Sequence, residues 1–112
     1  MNNRDRLRLR HILEWTDEIL RMADKRKRDD LESGRMFCHA VRRCLEVIGE
    51  AASKISPDCR MQYSLIPWES IIGMRNRLIH AYFDIQLDII WKTIIHELPD
   101  LRKKVAAILS GE

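Results

Sequence analysis

The chain has 112 residues, 46% of them hydrophobic and 33% charged, with only four glycines and three prolines. That profile excludes a disordered chain and argues against a sheet protein, leaving one helical domain over residues 1–112, near the size at which a dimer interface helps. A net charge of +3 permits contact with a polyanion without demanding it.

No apolar run approaches the roughly 20 residues of a membrane span. Residues 1–6 lead into charged sequence without a signal-like core, so a cytoplasmic location with no membrane contact is expected. Cys38, Cys44 and Cys59 are odd in number and include no Cys-x-x-Cys pair, so they are read as free thiols packed as small hydrophobes.

Residues 4–24 read as an amphipathic helix, with Leu9, Ile12, Leu13, Thr16, Ile19, Leu20 and Ala23 at three- and four-residue steps. Arg4, Arg6, Arg8 and Arg10 flank its stripe as a solvated basic face. The run Lys25-Arg26-Lys27-Arg28 forms a helix end or loop that could touch phosphates, although a lone charge run is weak evidence. Asp29 with Glu32 has capping-box spacing, and the longest helix is expected from there to about Ile55. Phe37, Ala40, Val41, Cys44, Leu45, Ile48, Ala51, Ala52 and Ile55 make its wide stripe. Gly49 in mid-helix costs around 1 kcal/mol against Ala and marks a close crossing. Glu50 beside it is a candidate to orient an active-site arginine, with a solvated acid as the alternative.

Ser56-Pro57 stops that helix. Residues 57–65 read as a loop with one short helical turn, and Pro67 fits the first turn of the next helix. Trp68, Ile71, Ile72, Arg75 and Ile79 follow helical steps there. Asp84 is expected to cap a further helix carrying Leu87, Ile90, Trp91, Ile94, Ile95 and Leu98. Pro99 kinks or restarts it before Leu101, Val105, Ile108 and Leu109. The fold expected is an all-α, antiparallel up-and-down bundle of four to five helices, homodimeric.

The chemistry concentrates in Met74-Arg75-Asn76-Arg77-Leu78-Ile79-His80-Ala81-Tyr82. Each residue turns a helix by about 100°, so Gly73, Asn76 and His80 share a face while Arg75 and His80 stand about 140° apart. Either the helix ends before His80 or the site is assembled from two chains. A two-fold dimer is favoured, because the same patch would then meet itself, and Gly73 would allow a close approach.

Arg75, His80 and Tyr82 form an Arg-x4-His-x-Tyr pattern, preceded by Ile66-Pro67-Trp68 and Ile71-Ile72-Gly73-Met74. With this motif the chain resembles the HepT-like branch of the HEPN families. The likeness extends to residues 5–13, to Leu45-Glu46-Val47-Ile48-Gly49-Glu50-Ala51-Ala52, and to Trp91 with Leu98-Pro99. The resemblance implies a metal-independent ribonuclease that uses Arg75 and His80 paired across a homodimer. It also implies a toxin whose antitoxin is a minimal nucleotidyltransferase (MNT) that transfers AMP to Tyr82.

The residue types suit that chemistry. The ribose 2′-hydroxyl is a nucleophile already present in RNA. His80 can move a proton near neutral pH, Arg75 matches the phosphate with a fork of donors, and Asn76 can hold the imidazole or a phosphate oxygen. No metal or cofactor is expected, since no Glu-x-x-His pair, His-Glu-x-x-His, phosphate loop or nucleophile elbow occurs. His11, His39 and His96 read as ordinary histidines. The rival readings are a non-catalytic subunit that binds nucleotide or RNA beside a nucleotidyltransferase, and a purely structural dimerisation role.

Overall fold

The computed structural model describes residues 1–111. The first apolar stripe forms α1 (Asn3–Ala23), capped by Asn2, whose side-chain oxygen accepts from the Asp5 N–H at 2.7 Å. Leu9, Ile12, Thr16, Ile19 and Ala23 are buried along it, while Leu13 and Leu20 are half-buried. Asp5 is buried too, and its carboxylate accepts from the Ser56 N–H at 2.9 Å and the Ser56 hydroxyl at 2.6 Å. A buried carboxylate is thereby satisfied, and the start of α1 is tied to a turn more than fifty residues away.

The helix expected from Asp29 to Ile55 is two helices, α2 (Asp29–Ser33) and α3 (Arg35–Ser53), so α1 is the longest. Gly34 stands between them with ψ at 86°, and a Cβ there would come within 2.8 Å of the Asp30 carbonyl. Only glycine fits that bend without displacing backbone. The Asp29–Glu32 box does not form. Instead Asp30 reaches back to accept from the Lys27 N–H at 2.7 Å. Along α3, Phe37, Val41, Cys44, Leu45, Ile48, Ala51 and Ala52 are buried as their spacing predicts. Arg60 closes its end, donating to the carbonyls of Ser53 at 2.7 Å and Ile55 at 3.1 Å.

Ser56 then caps α4 (Pro57–Gln62), the short turn expected in residues 57–65. Pro67 is the residue before α5 (Trp68–Ile79) rather than a member of its first turn. The buried line of α5 is Trp68, Met74 and Leu78, with Ile71 and Ile72 half-buried. Ile79, expected on that side, is 56% exposed. The reason is angular: Ile72, Arg75 and Ile79 form a second stripe, about 100° from the line that ends at Leu78.

Asp84 lies inside the first turn of α6 (Phe83–Lys92), whose cap is Tyr82 and not Asp84. A π turn (Thr93–Glu97) joins α6 to α7 (Leu98–Gly111). In it the Leu98 N–H reaches back five residues to Thr93. Pro99 has no N–H to offer the Ile95 carbonyl, and the widened turn accommodates that loss. The expected interruption at Pro99 is therefore a π bulge placed just ahead of it.

α3 packs between α1 and α5, and α7 lies against α1. The long spans form the expected all-α bundle, with α2 and α4 as short pieces in the connections. The crossing of α3 on α5 is close at Gly49, where a Cβ would stand 3.1 Å from the Ile71 carbonyl. This crossing fixes the axis of the helix that carries the motif.

Candidate active site at the end of α5

Helix α5 ends at Ile79, so the helix stops before His80, which is its C-cap at φ −92° and ψ 1°. Of the two alternatives open in the sequence, the first is met within a single chain, and the second is not thereby removed. The His80 N–H still bonds the Asn76 carbonyl at 3.3 Å, and Ala81 bonds Leu78 at 3.4 Å. Tyr82 leaves the turn extended, with ψ 156°, and α6 begins at Phe83.

Arg75, Asn76, His80 and Tyr82 are all exposed, Tyr82 at 85%. None of their side chains makes a hydrogen bond or ion pair among the described residues. Asn76 therefore does not hold the imidazole within the chain. Neighbouring Arg77, by contrast, is spent on its own helix, donating to the Ser70 carbonyl and hydroxyl at 3.3 Å. Close to them in the chain, Ile79 (56% exposed), Phe83 (54%) and Ile85 (50%) are exposed as well. Exposed polar and apolar side chains thus alternate along the end of α5, the turn after it and the start of α6.

Two of the candidate supporting residues take different places. Glu50 is exposed on α3, and no hydrogen bond or ion pair joins its carboxylate to Arg75 among the described residues. It does not orient that arginine within the chain. Gly73 faces open space, with nothing within 4 Å of where a Cβ would stand. The close crossing made inside the fold belongs to Gly49, so any approach over Gly73 must come from outside the chain.

What holds the turn was not legible as a motif. The Gln86 amide donates to the Ala81 carbonyl at 2.7 Å, and the Gln86 N–H donates to the Tyr82 carbonyl at 2.8 Å. Arg42, from α3, donates to the same Gln86 side chain through a short bond. Arg28, last of the basic run, pairs with Asp88 at 2.5 Å and donates to the Asp84 carbonyl at 3.2 Å. That pairing raises the pKa of the Arg28 guanidinium above its ordinary value, the hydrogen bond to Asp88 being the main cause. The Lys25–Arg28 loop is thus anchored beside the start of α6. The only sequence signal for these contacts was Gln86 standing in the first turn after Tyr82.

The cysteines are buried and free. Burial pushes the Cys38 and Cys44 thiols up, partly opposed by Arg42 and Arg43 respectively. That suits packing groups better than nucleophiles. No His, Cys, Asp and Glu grouping able to hold a metal occurs among the described residues. A groove of about 420 Å³ lies between α3, α5 and the start of α7, lined by Leu45, Ile71, Met74, His96 and Leu101. None of the four motif residues lines it.

A helical bundle that displays an Arg-x4-His-x-Tyr motif at a helix end defines the HEPN class. Within that class the chain belongs to the HepT-like ribonuclease family, whose model, described as "Ribonuclease HepT-like", matches residues 12–108. It is 38% identical over 98 residues to a protein of Methanocaldococcus jannaschii provisionally named an RNase, covering 88% of this chain and 81% of that one. It is 38% identical over 104 residues to another so named from Caldanaerobacter subterraneus subsp. tengcongensis, covering 93% of each. A Thermococcus cleftensis protein provisionally named ribonuclease HepT is 43% identical over 65 residues, covering 58% of this chain and 59% of that one. No solved structure matches. No helix among the described residues is long and apolar enough to cross a membrane.

Proposed function

We propose that the protein is a metal-independent ribonuclease whose site is completed when two copies pair about a two-fold axis through the end of α5. The observation that carries this is the unused state of Arg75, Asn76, His80 and Tyr82. All four are exposed and unbonded among the described residues, and Ile79, Phe83 and Ile85 in the same stretch of chain are exposed too. A folded monomer gains nothing from such a patch, whereas a self-complementary contact buries the apolar side chains and brings two cations and two imidazoles together.

The chemistry follows from the groups. The 2′-hydroxyl oxygen attacks the adjacent phosphorus as one His80 takes its proton. The bond to the 5′-oxygen breaks, and that oxygen receives a proton from the second His80 or from water. The products are a 2′,3′-cyclic phosphate and a 5′-hydroxyl. Arg75 stabilises the extra negative charge on the phosphorane-like transition state, and Asn76 holds a phosphate oxygen.

Tyr82 offers control of the same site. In the reading implied by the HepT-like family, an MNT-type nucleotidyltransferase antitoxin transfers AMP from ATP to the Tyr82 oxygen. The phenolic proton is lost and pyrophosphate leaves. The phosphate added two residues from His80 occupies the substrate's place and repels its backbone, silencing a toxin.

The test uses intact mass and RNA cleavage on protein made with and without such a partner, in the presence of a metal chelator. Partner-free dimer is expected to cleave RNA, leaving cyclic phosphate ends, and the co-expressed protein to carry an AMP-sized mass on Tyr82 and to be inactive. An unmodified dimer that binds RNA tightly yet cleaves none would favour the non-catalytic subunit instead.

A further inference from the structure

Four arginines of this fold pair with carboxylates: exposed Arg21 with Glu18, Arg43 with Glu46 and Arg102 with Asp17, and half-buried Arg28 with Asp88. Arg42 does not. It is half-buried on α3, and its one partner among the described residues is the neutral side-chain oxygen of Gln86. Only Nη1 is engaged, so the Nε and Nη2 hydrogens have no acceptor there. A guanidinium held in place by an amide keeps its whole positive charge, and partial burial strengthens what that charge does to an anion.

Its position is equally specific. The amide that holds Arg42 also donates to the Ala81 carbonyl at 2.7 Å, and the same residue's N–H donates to Tyr82 at 2.8 Å. Arg42 therefore stands one amide away from the turn that carries His80 and Tyr82. We propose that Arg42, presented by Gln86, is a further phosphate-binding residue of the site, taking a phosphate of the RNA strand next to the one that is cleaved. Gln86 is the positioning residue of the pair. The assignment rests on the ribonuclease reading given above.

The experiment measures binding of a fluorescent, single-stranded 2′-O-methyl oligonucleotide, which lacks the nucleophile and cannot be cleaved, across a series of salt concentrations. Loss of one phosphate contact lowers the slope of log affinity against log salt by about 0.7 for a single strand. Arg42→Met is expected to lose that amount per bound chain and to weaken binding about ten- to hundred-fold, with its melting temperature close to wild type. In cleavage of ordinary RNA the loss falls on KM more than on kcat. Arg42→Lys is expected to recover the slope but only part of the affinity.

Gln86→Glu gives a second reading that keeps the Arg42 side chain: a carboxylate opposite Arg42 neutralises it and the same slope is lost. The N–H bonded to the Ala81 carbonyl goes with the amide, so Gln86→Met, which loses that bond without adding charge, is the control and should keep the slope. Bound oligonucleotide should also shield Arg42 of the wild-type protein from phenylglyoxal, which needs no variant. If wild type cleaves RNA while Arg42→Met and Gln86→Glu keep its slope and affinity, or Arg42 is unshielded, the assignment is overturned and the ribonuclease reading stands. If wild type neither binds the 2′-O-methyl strand nor cleaves RNA, both are overturned.

Discussion

Two stretches of one helix make opposite uses of their residues. Where α5 crosses α3, Gly49 lets backbone approach backbone, leaving 3.1 Å between the Ile71 carbonyl and any added Cβ. Two residues further along α5, Gly73 meets nothing within 4 Å, and beyond it the side chains of Arg75, Asn76, His80 and Tyr82 make no hydrogen bond or ion pair among the described residues. The first region spends its side chains on the fold. The second withholds them, and packing at the crossing fixes the axis of the helix that carries them. On the proposed reading, stability and function are therefore separable along about three turns of a single helix, at 3.6 residues per turn.

The strongest way to break this contrast is through the motif itself. Arg75→Ala and His80→Ala should each lower RNA cleavage by a factor of about 100 or more while leaving the melting temperature within a degree or two, because both side chains are exposed and unbonded among the described residues. Cleavage assays beside thermal melts decide it. A large drop in melting temperature would mean that these residues serve the fold after all.

Adjacent Leu78 and Ile79 give the next largest effect. Leu78 is 3% exposed and Ile79 is 56% exposed. Leu78→Ala should cost about 2–5 kcal/mol in denaturant unfolding through the cavity it leaves. Ile79→Ala should change the stability of the isolated chain by less than about 0.5 kcal/mol. If the end of α5 is a self-complementary surface, Ile79→Ala will instead weaken the dimer in sedimentation measurements. Equal effects of the two substitutions on unfolding would erase the distinction between the faces.

The glycines sharpen it further. Gly49→Ala forces α3 and α5 apart by a few tenths of an ångström against backbone and should destabilise by about 1 kcal/mol or somewhat more. Gly73→Ala meets nothing and should stabilise the isolated chain by up to about 1 kcal/mol through helix propensity. Any loss of cleavage or of dimer on Gly73→Ala would then report a partner passing over that face.

A smaller effect concerns pH. Burial raises the pKa of Cys38 and Cys44 above the ordinary 9.0, so the folded state disfavours their thiolates. Their contribution to stability is complete below that value and is lost as pH rises through the folded-state pKa. Melting temperature should therefore fall above pH 9, and less steeply in a Cys38→Ala, Cys44→Ala double variant.

Much of this could be read from spacing. The stripes of α1 and α3, the crossing at Gly49 and the short turn after Pro57 all follow from local periodicity and from glycine and proline, which act on their own neighbours. The failures have a common cause. Gly34 breaks a helix that periodicity would have continued, because the bend is decided by the Asp30 carbonyl it must clear. Ile79 falls outside the buried line because α5 packs on α3 along one side only. Glu50, close to Gly49 in sequence, is not brought to Arg75, since neighbours on a helix point in different directions.

By itself the sequence determined the helical class, the motif and the chemistry its side chains can perform, because these depend on residue type and on separations of a few positions. Tertiary structure alone decided that Arg75, Asn76, His80 and Tyr82 stand exposed and unbonded among the described residues, and that Gln86, which bonds the turn, is itself held by Arg42 from 44 residues away. Such contacts arise when packed helices bring distant positions together. No local pattern encodes them, since the closing of those long loops is driven by the whole core and not by the residues that meet.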